Sequence, residues 1–238
     1  MLKEAIILAG GFGTRLQSVV ADRPKPMALV CGKPFLHYIF KYLKHYKIQK
    51  VILSVGHKAE MIQNYFGGEY EGTKVDYALE TKPMGTGGGI RLAMEKCVEE
   101  KILVLNGDSF IDINLNSFYD TYNSCHADIC LTLREVENAA RYGTVKIASE
   151  GIIINFREKN GIEAPGIING GVYIINRGFY LNHSNPNKNF SIEKDFFELY
   201  VQKYNFSHYL ANKNDYFIDI GIPEDYAKAQ HDFTKFAY

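Results

Sequence analysis

The sequence has no excess of charge of either sign: 27 lysines and arginines balance 27 aspartates and glutamates over 238 residues. That excludes the global basic field which holds a nucleic-acid duplex or an anionic membrane, so any anionic partner is met by a local cluster. Long apolar runs are also missing. The N-terminal MLKEAIILAGG holds five apolar residues, Ala5 to Ala9, before the glycines, too few for the core of a secretion signal. No stretch approaches the ~20 apolar residues of a transmembrane helix. Cysteine is sparse. Cys31, Cys97, Cys125 and Cys130 form no C-x-x-C pair and no zinc-like spacing, which predicts free thiols and a cytoplasmic location. The seven histidines offer no pair at metal spacing, and no Ser/His or Cys/His arrangement for nucleophilic catalysis stands out. His57, just after the second strand, is the one histidine placed to reach a pocket at strand ends.

What is present is an ordinary globular composition, 46% hydrophobic and 23% charged, without repeats or a linker. One domain spanning 1–238 follows. Its first half alternates strand and helix signals: strands at Glu4–Ala9, Lys50–Val55, Thr73–Leu79 and Ile102–Asn106, helices at Pro34–Tyr46, Lys58–Phe66 and Ile90–Glu100. This rhythm predicts a mostly parallel sheet flanked by helices on both faces. The second half carries strand-like runs at Ala127–Leu133, Thr144–Ala148, Ile152–Phe156 and Ile167–Ile175 separated by turn residues, a small antiparallel subregion. A helix over Phe190–Tyr204 capped by Ser191, a strand at Tyr216–Ile220 and a closing helix over Pro223–Phe236 complete the reading.

Gly10-Gly11-Phe12-Gly13-Thr14-Arg15-Leu16 directly follows the first strand. Open α/β sheets bind ligands at the carboxyl ends of their strands, and glycines let backbone N–H groups approach phosphate oxygens. The dinucleotide pattern G-x-G-x-x-G fails because Leu16 occupies the third glycine, and the G-x-x-x-x-G-K-[ST] pattern fails too. The loop is an anion loop of another kind. Farther on, Pro24-Lys25-Pro26 flanks a lysine with two prolines, which predicts a stiff, non-helical loop presenting a fixed cation.

Gly10–Leu16 followed by Pro24-Lys25-Pro26-Met27 resembles the signature of the sugar-1-phosphate nucleotidyltransferases. The resemblance continues in order through Glu80 with Gly85-Thr86-Gly87-Gly88, Asn106-Gly107-Asp108, Tyr142-Gly143, Glu158-Lys159, Asn169-Gly170-Gly171 and Phe217-Ile218-Asp219-Ile220-Gly221. It implies a Rossmann-like, mostly parallel mixed sheet, the nucleotide-diphospho-sugar transferase fold, with 1–110 mainly binding nucleotide and 111–238 mainly sugar phosphate. It implies that Arg15 and Lys25 hold the triphosphate and the transition-state charge, and that Gly10, Gly11, Gly13, Thr14, Glu80, Gly85 and Thr86 bind the nucleotide. Tyr142, Gly143, Glu158, Lys159, Asn169 and Gly170 contact the sugar phosphate. Asp108 and Asp219 hold Mg2+, a hard cation suited to one or two carboxylates plus substrate phosphates. The partners are a nucleoside triphosphate and a sugar 1-phosphate, with no nucleic acid and no membrane. A homo-oligomer is compatible.

Glu80 bears on the base. Guanine presents two adjacent N–H groups, which one carboxylate accepts together, whereas uracil and thymine present one N–H between carbonyls. Glu80 therefore favours GTP. Ser18-Val19-Val20 stand where the family often has Pro-Leu-Thr, unlike the glucose 1-phosphate thymidylyl and uridylyl branches. The motif set looks most like the branch that transfers a guanylyl group to a heptose 1-phosphate of the D-glycero-α-D-manno series, with mannose 1-phosphate the near alternative. A non-catalytic nucleotide-sugar-binding subunit is the reading of another class. The joint presence of Arg15, Lys25, Asp108 and Asp219 favours the enzyme.

Overall fold

The first strands are buried on both faces, which is why they read as continuous apolar runs. In β1 (Glu4–Leu8), Ala5 and Ile7 enter one core and Ile6 the other. A single 3-10 turn at Lys25–Met27 and a hairpin of β2 (Leu29–Val30) and β3 (Lys33–Pro34) lead into α1 (Phe35–His45). Phe35, Leu36, Ile39, Phe40 and Leu43 recur at helical spacing and cover the first core. The chain continues through β4 (Lys50–Val55), α2 (Ala59–Phe66), β5 (Glu69–Tyr70), β6 (Thr73–Leu79), α3 (Gly85–Met94) and β7 (Lys101–Asn106). Ile90, Ala93 and Met94 of α3 enter the second core, on the opposite face. The computed structural model describes residues 1–11, 16, 20, 22–148, 152–157, 161, 163–186 and 188–236.

Strands β7, β1, β4 and β6 lie side by side in that order, all parallel. The chain steps outward from β1 through β4 to β6, and α3 then carries it back to the other side of β1. The direction of winding reverses between β1 and β7, and such a reversal opens a crevice at the carboxyl ends of the two strands.

The second half runs through β8 (Ser109–Ile111), α4 (Leu115–Ser124), β9 (Ile129–Val136), β10 (Thr144–Ile147), β11 (Ile153–Arg157), β12 (Gly166–Asn176) and α5 (Arg177–His183). A π-helical turn at Ile192–Phe197 precedes α6 (Glu198–Tyr200), β13 (Phe206–Leu210), β14 (Phe217–Asp219) and α7 (Pro223–Asp232). Strand β12 is antiparallel to β7, β9 and β10, and β10 to β11, so an antiparallel region extends the parallel sheet as expected. Strands β8 and β14 form a separate antiparallel pair.

The sequence pattern does not anticipate helices α4 and α5, and two of the expected helices depart from the sequence expectation. The spacing predicts a helix over 90–100 after a glycine loop, but α3 begins within the glycines, at Gly85. Glycine is a poor helix former; close packing overrides that preference here. Gly85 has a φ of 69°, and a Cβ there would overlap the Phe190 carbonyl. The segment around Phe190 lies along this bare helix start: Phe190 N donates to Met84 O at 3.0 Å and Gly87 N donates to Phe190 O at 2.9 Å. The second departure is Phe190–Tyr204. Ser191 caps it as expected, accepting from Lys194 N at 3.2 Å, but the helix is π-type over its first turns and ends at Tyr200.

The thiols divide by burial. Cys31 and Cys125 are exposed, whereas burial pushes Cys97 and Cys130 up to about 12. A thiolate is the reactive form, so a disulfide reagent such as Ellman's titrates two thiols promptly in the folded protein and all four after denaturation. Four prompt thiols would contradict this burial.

Candidate active site

The crevice between β1 and β7 is a cavity of about 680 Å³. Leu8, Gly10 and Gly11 line it from the end of β1, and Asn106 and Asp108 from the end of β7. Glu80, Gly85, Thr86, His57 and Lys25 also line it. Of the residues expected to bind nucleotide, Gly10, Gly11, Glu80, Gly85 and Thr86 are thus brought together, while Gly13, Thr14 and Arg15 lie outside the described residues. A smaller cavity of about 180 Å³ adjoins it, since Asn106 and Asp108 line both. Tyr142, Gly143, Asn169, Gly170 and Asp219 line this second space. Glu158 and Lys159 lie outside the described residues.

Asp108 and Asp219 are far apart in sequence and adjacent in space. Asp108 follows β7, and the chain turns at once into β8, whose Ser109 pairs with Asp219 of β14. Ile220 N donates to Asp108 O at 3.0 Å and closes the junction. The Lys25 ammonium sits between the two carboxylates, 2.7 Å from Asp108 Oδ2 and 3.2 Å from Asp219 Oδ1. The Lys25 side chain is only 9% exposed, against 40% for Asp108 and 20% for Asp219. Burial, reinforced by the Asp108 charge, raises the Asp219 carboxyl above its ordinary value, and Lys25 pulls it the other way.

This corrects the expectation for Lys25. The prolines do not exclude helix: Lys25–Met27 forms one 3-10 turn, with Pro24 as its N-cap and Pro26 early in it, where a missing N–H leaves no bond unmade. Nor is the lysine a cation on a loop awaiting phosphate alone, because both aspartates already engage it. Two carboxylates turned toward one positive charge form a hard-oxygen donor set that fits a divalent cation. Among the described residues no cluster of three or more His, Cys, Asp or Glu able to hold a metal occurs, so substrate phosphates and water would complete the coordination.

Glu80 faces the larger cavity with both oxygens partly engaged. Ser54 Oγ donates to Oε1 at 3.0 Å and Met84 N to Oε2 at 3.1 Å. Each carboxylate oxygen keeps a second lone pair. The absence of a side chain at Gly10 permits this placement, since a Cβ there would lie 2.7 Å from Oε1. Thr86 has a structural task as well: its Oγ1 accepts from Ile192 N at 2.9 Å.

Asn169 lines the smaller cavity as expected of a sugar-phosphate contact, and it also has structural partners. Its Nδ2 donates to Tyr173 Oη at 2.6 Å and to Glu193 Oε1 at 2.7 Å, and its Oδ1 accepts from Gly171 N at 3.0 Å. The side chain organises the smaller cavity and positions Glu193, which lines it. Glu193, Arg141 and Ser109, the lining residues missed from the sequence, left only faint signals. Glu193 lies in the segment predicted helical and carries no motif of its own, and Arg141 immediately precedes the Tyr142-Gly143 pair.

A mixed, mostly parallel sheet with a glycine-lined crevice at its winding reversal, and a carboxylate pair where two cavities meet, fits the class of transferases that act on phosphorylated ligands. The chain belongs to the nucleotidyl transferase family, whose model matches residues 4–235. It is 46% identical over 233 residues to a D-glycero-α-D-manno-heptose 1-phosphate guanylyltransferase from Aneurinibacillus thermoaerophilus, covering 98% of this chain and 99% of that one. It is 42% identical to the Campylobacter jejuni protein of the same name, covering 94% and 96%. The crystal structure of HddC from Yersinia pseudotuberculosis complexed with GMP-PN superposes with a TM-score of 0.83 at 37% identity, covering 98% of this chain and all of that one.

Proposed function

We propose that the chain joins GTP to D-glycero-α-D-manno-heptose 1-phosphate, giving GDP-heptose and pyrophosphate. The observation that carries this reading is the Asp108–Lys25–Asp219 cluster at the junction of the two cavities. The larger cavity has the size of a nucleotide site, and the smaller takes the sugar phosphate. A phosphate oxygen of the heptose 1-phosphate attacks the α-phosphorus of GTP. The bond from that phosphorus to the bridging oxygen breaks, and pyrophosphate leaves with the electron pair. The attacking oxygen is ionised near neutral pH, so no side chain need remove a proton. The protein's work is alignment and charge stabilisation. Asp108 and Asp219 would hold a divalent cation, Mg2+ in this reading, which would supply charge neutralisation at the phosphates. Lys25, together with Arg15, supplies further positive charge. The remaining lone pairs of Glu80 accept the paired N–H groups of guanine. Four free thiols support a reducing, cytoplasmic setting, and the reading accommodates a homo-oligomer.

Pyrophosphate release with Mg2+, measured over GTP, ATP, CTP, UTP and dTTP against heptose, mannose and glucose 1-phosphates, tests this directly. GTP with the heptose gives the highest kcat/KM. Glu80→Gln lowers kcat/KM for GTP by about 10- to 100-fold, the effect of losing charge-assisted hydrogen bonds. A preference for UTP in the unmodified protein overturns the guanine assignment. No release with any pair favours a nucleotide-sugar-binding subunit instead.

A further inference from the structure

We infer that Arg141 binds the phosphate of the sugar 1-phosphate and that Asp225 positions it for that task. The inference rests on the reading of the smaller cavity as the sugar-phosphate site. Among the described residues Arg141 is the one cation lining that cavity, which it shares with Asp108, Asp219 and Glu193. Three carboxylates around a small space repel an entering phosphate unless positive charge offsets them. Lys25 is already held by two of them, and Arg141 brings a further positive charge to the cavity.

The guanidinium is anchored on one edge. Its Nη2 donates to Asp225 Oδ2 at 2.7 Å, and Asp225 lies in the first turn of α7. The Tyr142 ring supports it, with Cζ 5.5 Å from the ring centroid. The Nε–H is buried without a hydrogen-bond partner among the described residues. A buried donor without an acceptor is unfavourable, so the site calls for an acceptor. A phosphate suits it, because the guanidinium fork matches two phosphate oxygens at once. A sugar hydroxyl gains less from this charge.

Steady-state kinetics with Arg141→Gln, Arg141→Lys and Asp225→Asn test the inference, beside calorimetric binding of heptose 1-phosphate and of unphosphorylated heptose. Arg141→Gln raises KM for heptose 1-phosphate at least tenfold and changes KM for GTP less than twofold. Arg141→Lys, which keeps the charge and loses the fork, falls between it and the unmodified protein. Asp225→Asn shifts the same KM in the same direction by a smaller factor. In binding, Arg141→Gln narrows the preference for the phosphorylated over the free sugar at least tenfold. Equal loss for both sugars, a KM rise confined to GTP, or no change overturns the inference. If Arg141→Gln shows no cooperative melting, Arg141→Lys decides by the same ratios. An unmodified protein inactive on every sugar 1-phosphate overturns the cavity assignment and this inference together. An active one in which Arg141→Gln keeps its KM overturns this inference alone.

Discussion

Asp219→Asn and Asp108→Asn each lower turnover by about a thousandfold or more, roughly 4 kcal/mol of transition-state stabilisation. The carboxamide keeps the shape of the carboxylate, and its oxygen can still accept the bond that Gly221 N donates to Asp219 Oδ1 at 2.8 Å. The charge that faces the phosphates is what disappears. For Asp219→Asn stability changes little, because burial and the neighbouring Asp108 already disfavour that charge and raise its carboxyl, against the pull of Lys25. Melting curves and turnover therefore separate, with Tm nearly constant and activity nearly gone. Mn2+ binding in the presence of GTP, followed by electron paramagnetic resonance, weakens in parallel. A loss of less than tenfold in both variants means that these carboxylates do not hold the cation.

How far the sequence reveals this arrangement depends on the range of the interaction. Lys50–Val55 and Thr73–Leu79 are strands with the bounds their patterns imply, the first because a strand buried on both faces is apolar throughout, the second because alternation marks a strand with one buried face. That ligands meet the loop after the first strand was legible from the glycines there; the reversal of winding between β1 and β7 was not, because strand order is set by tertiary pairing. The start of α3 was not legible: the bare positions at Gly85 and Gly87 make room for Phe190, distant in sequence, which lies against them. Lys25 shows the same limit. Its flanking prolines are visible locally, but its two carboxylate partners come from the ends of β7 and β14, and no local pattern brings three segments to one ammonium. Glu193 and Arg141 belong to the site only through Asn169 and Asp225. Both links are tertiary.

Lys25→Ala lowers turnover at least a hundredfold, in the range seen when one preorganised stabilising group is removed. It also destabilises the fold, and the two effects have separate origins. Removing the ammonium leaves Asp108 and Asp219 facing each other with their shared counter-charge gone. Breaking a fully buried pair this way costs about 3–5 kcal/mol. Here the Asp108 side chain is 40% exposed, so solvent screens part of the repulsion and a cost of about 1–3 kcal/mol is expected. In a chain of this length that lowers Tm by several degrees, at about 2–4 °C per kcal/mol. The double variant Lys25→Ala/Asp219→Asn removes the repulsion, so it regains most of the lost Tm while turnover stays at the level of Asp219→Asn alone or lower. The stability terms are then non-additive because the groups touch, and the turnover terms are non-additive because the groups act as a unit. A Lys25→Ala protein that keeps more than a tenth of its turnover, a loss under ~1.4 kcal/mol, would leave Lys25 as a structural counter-ion only. The same variant with an unchanged Tm would show that the lysine does not hold the carboxylates together.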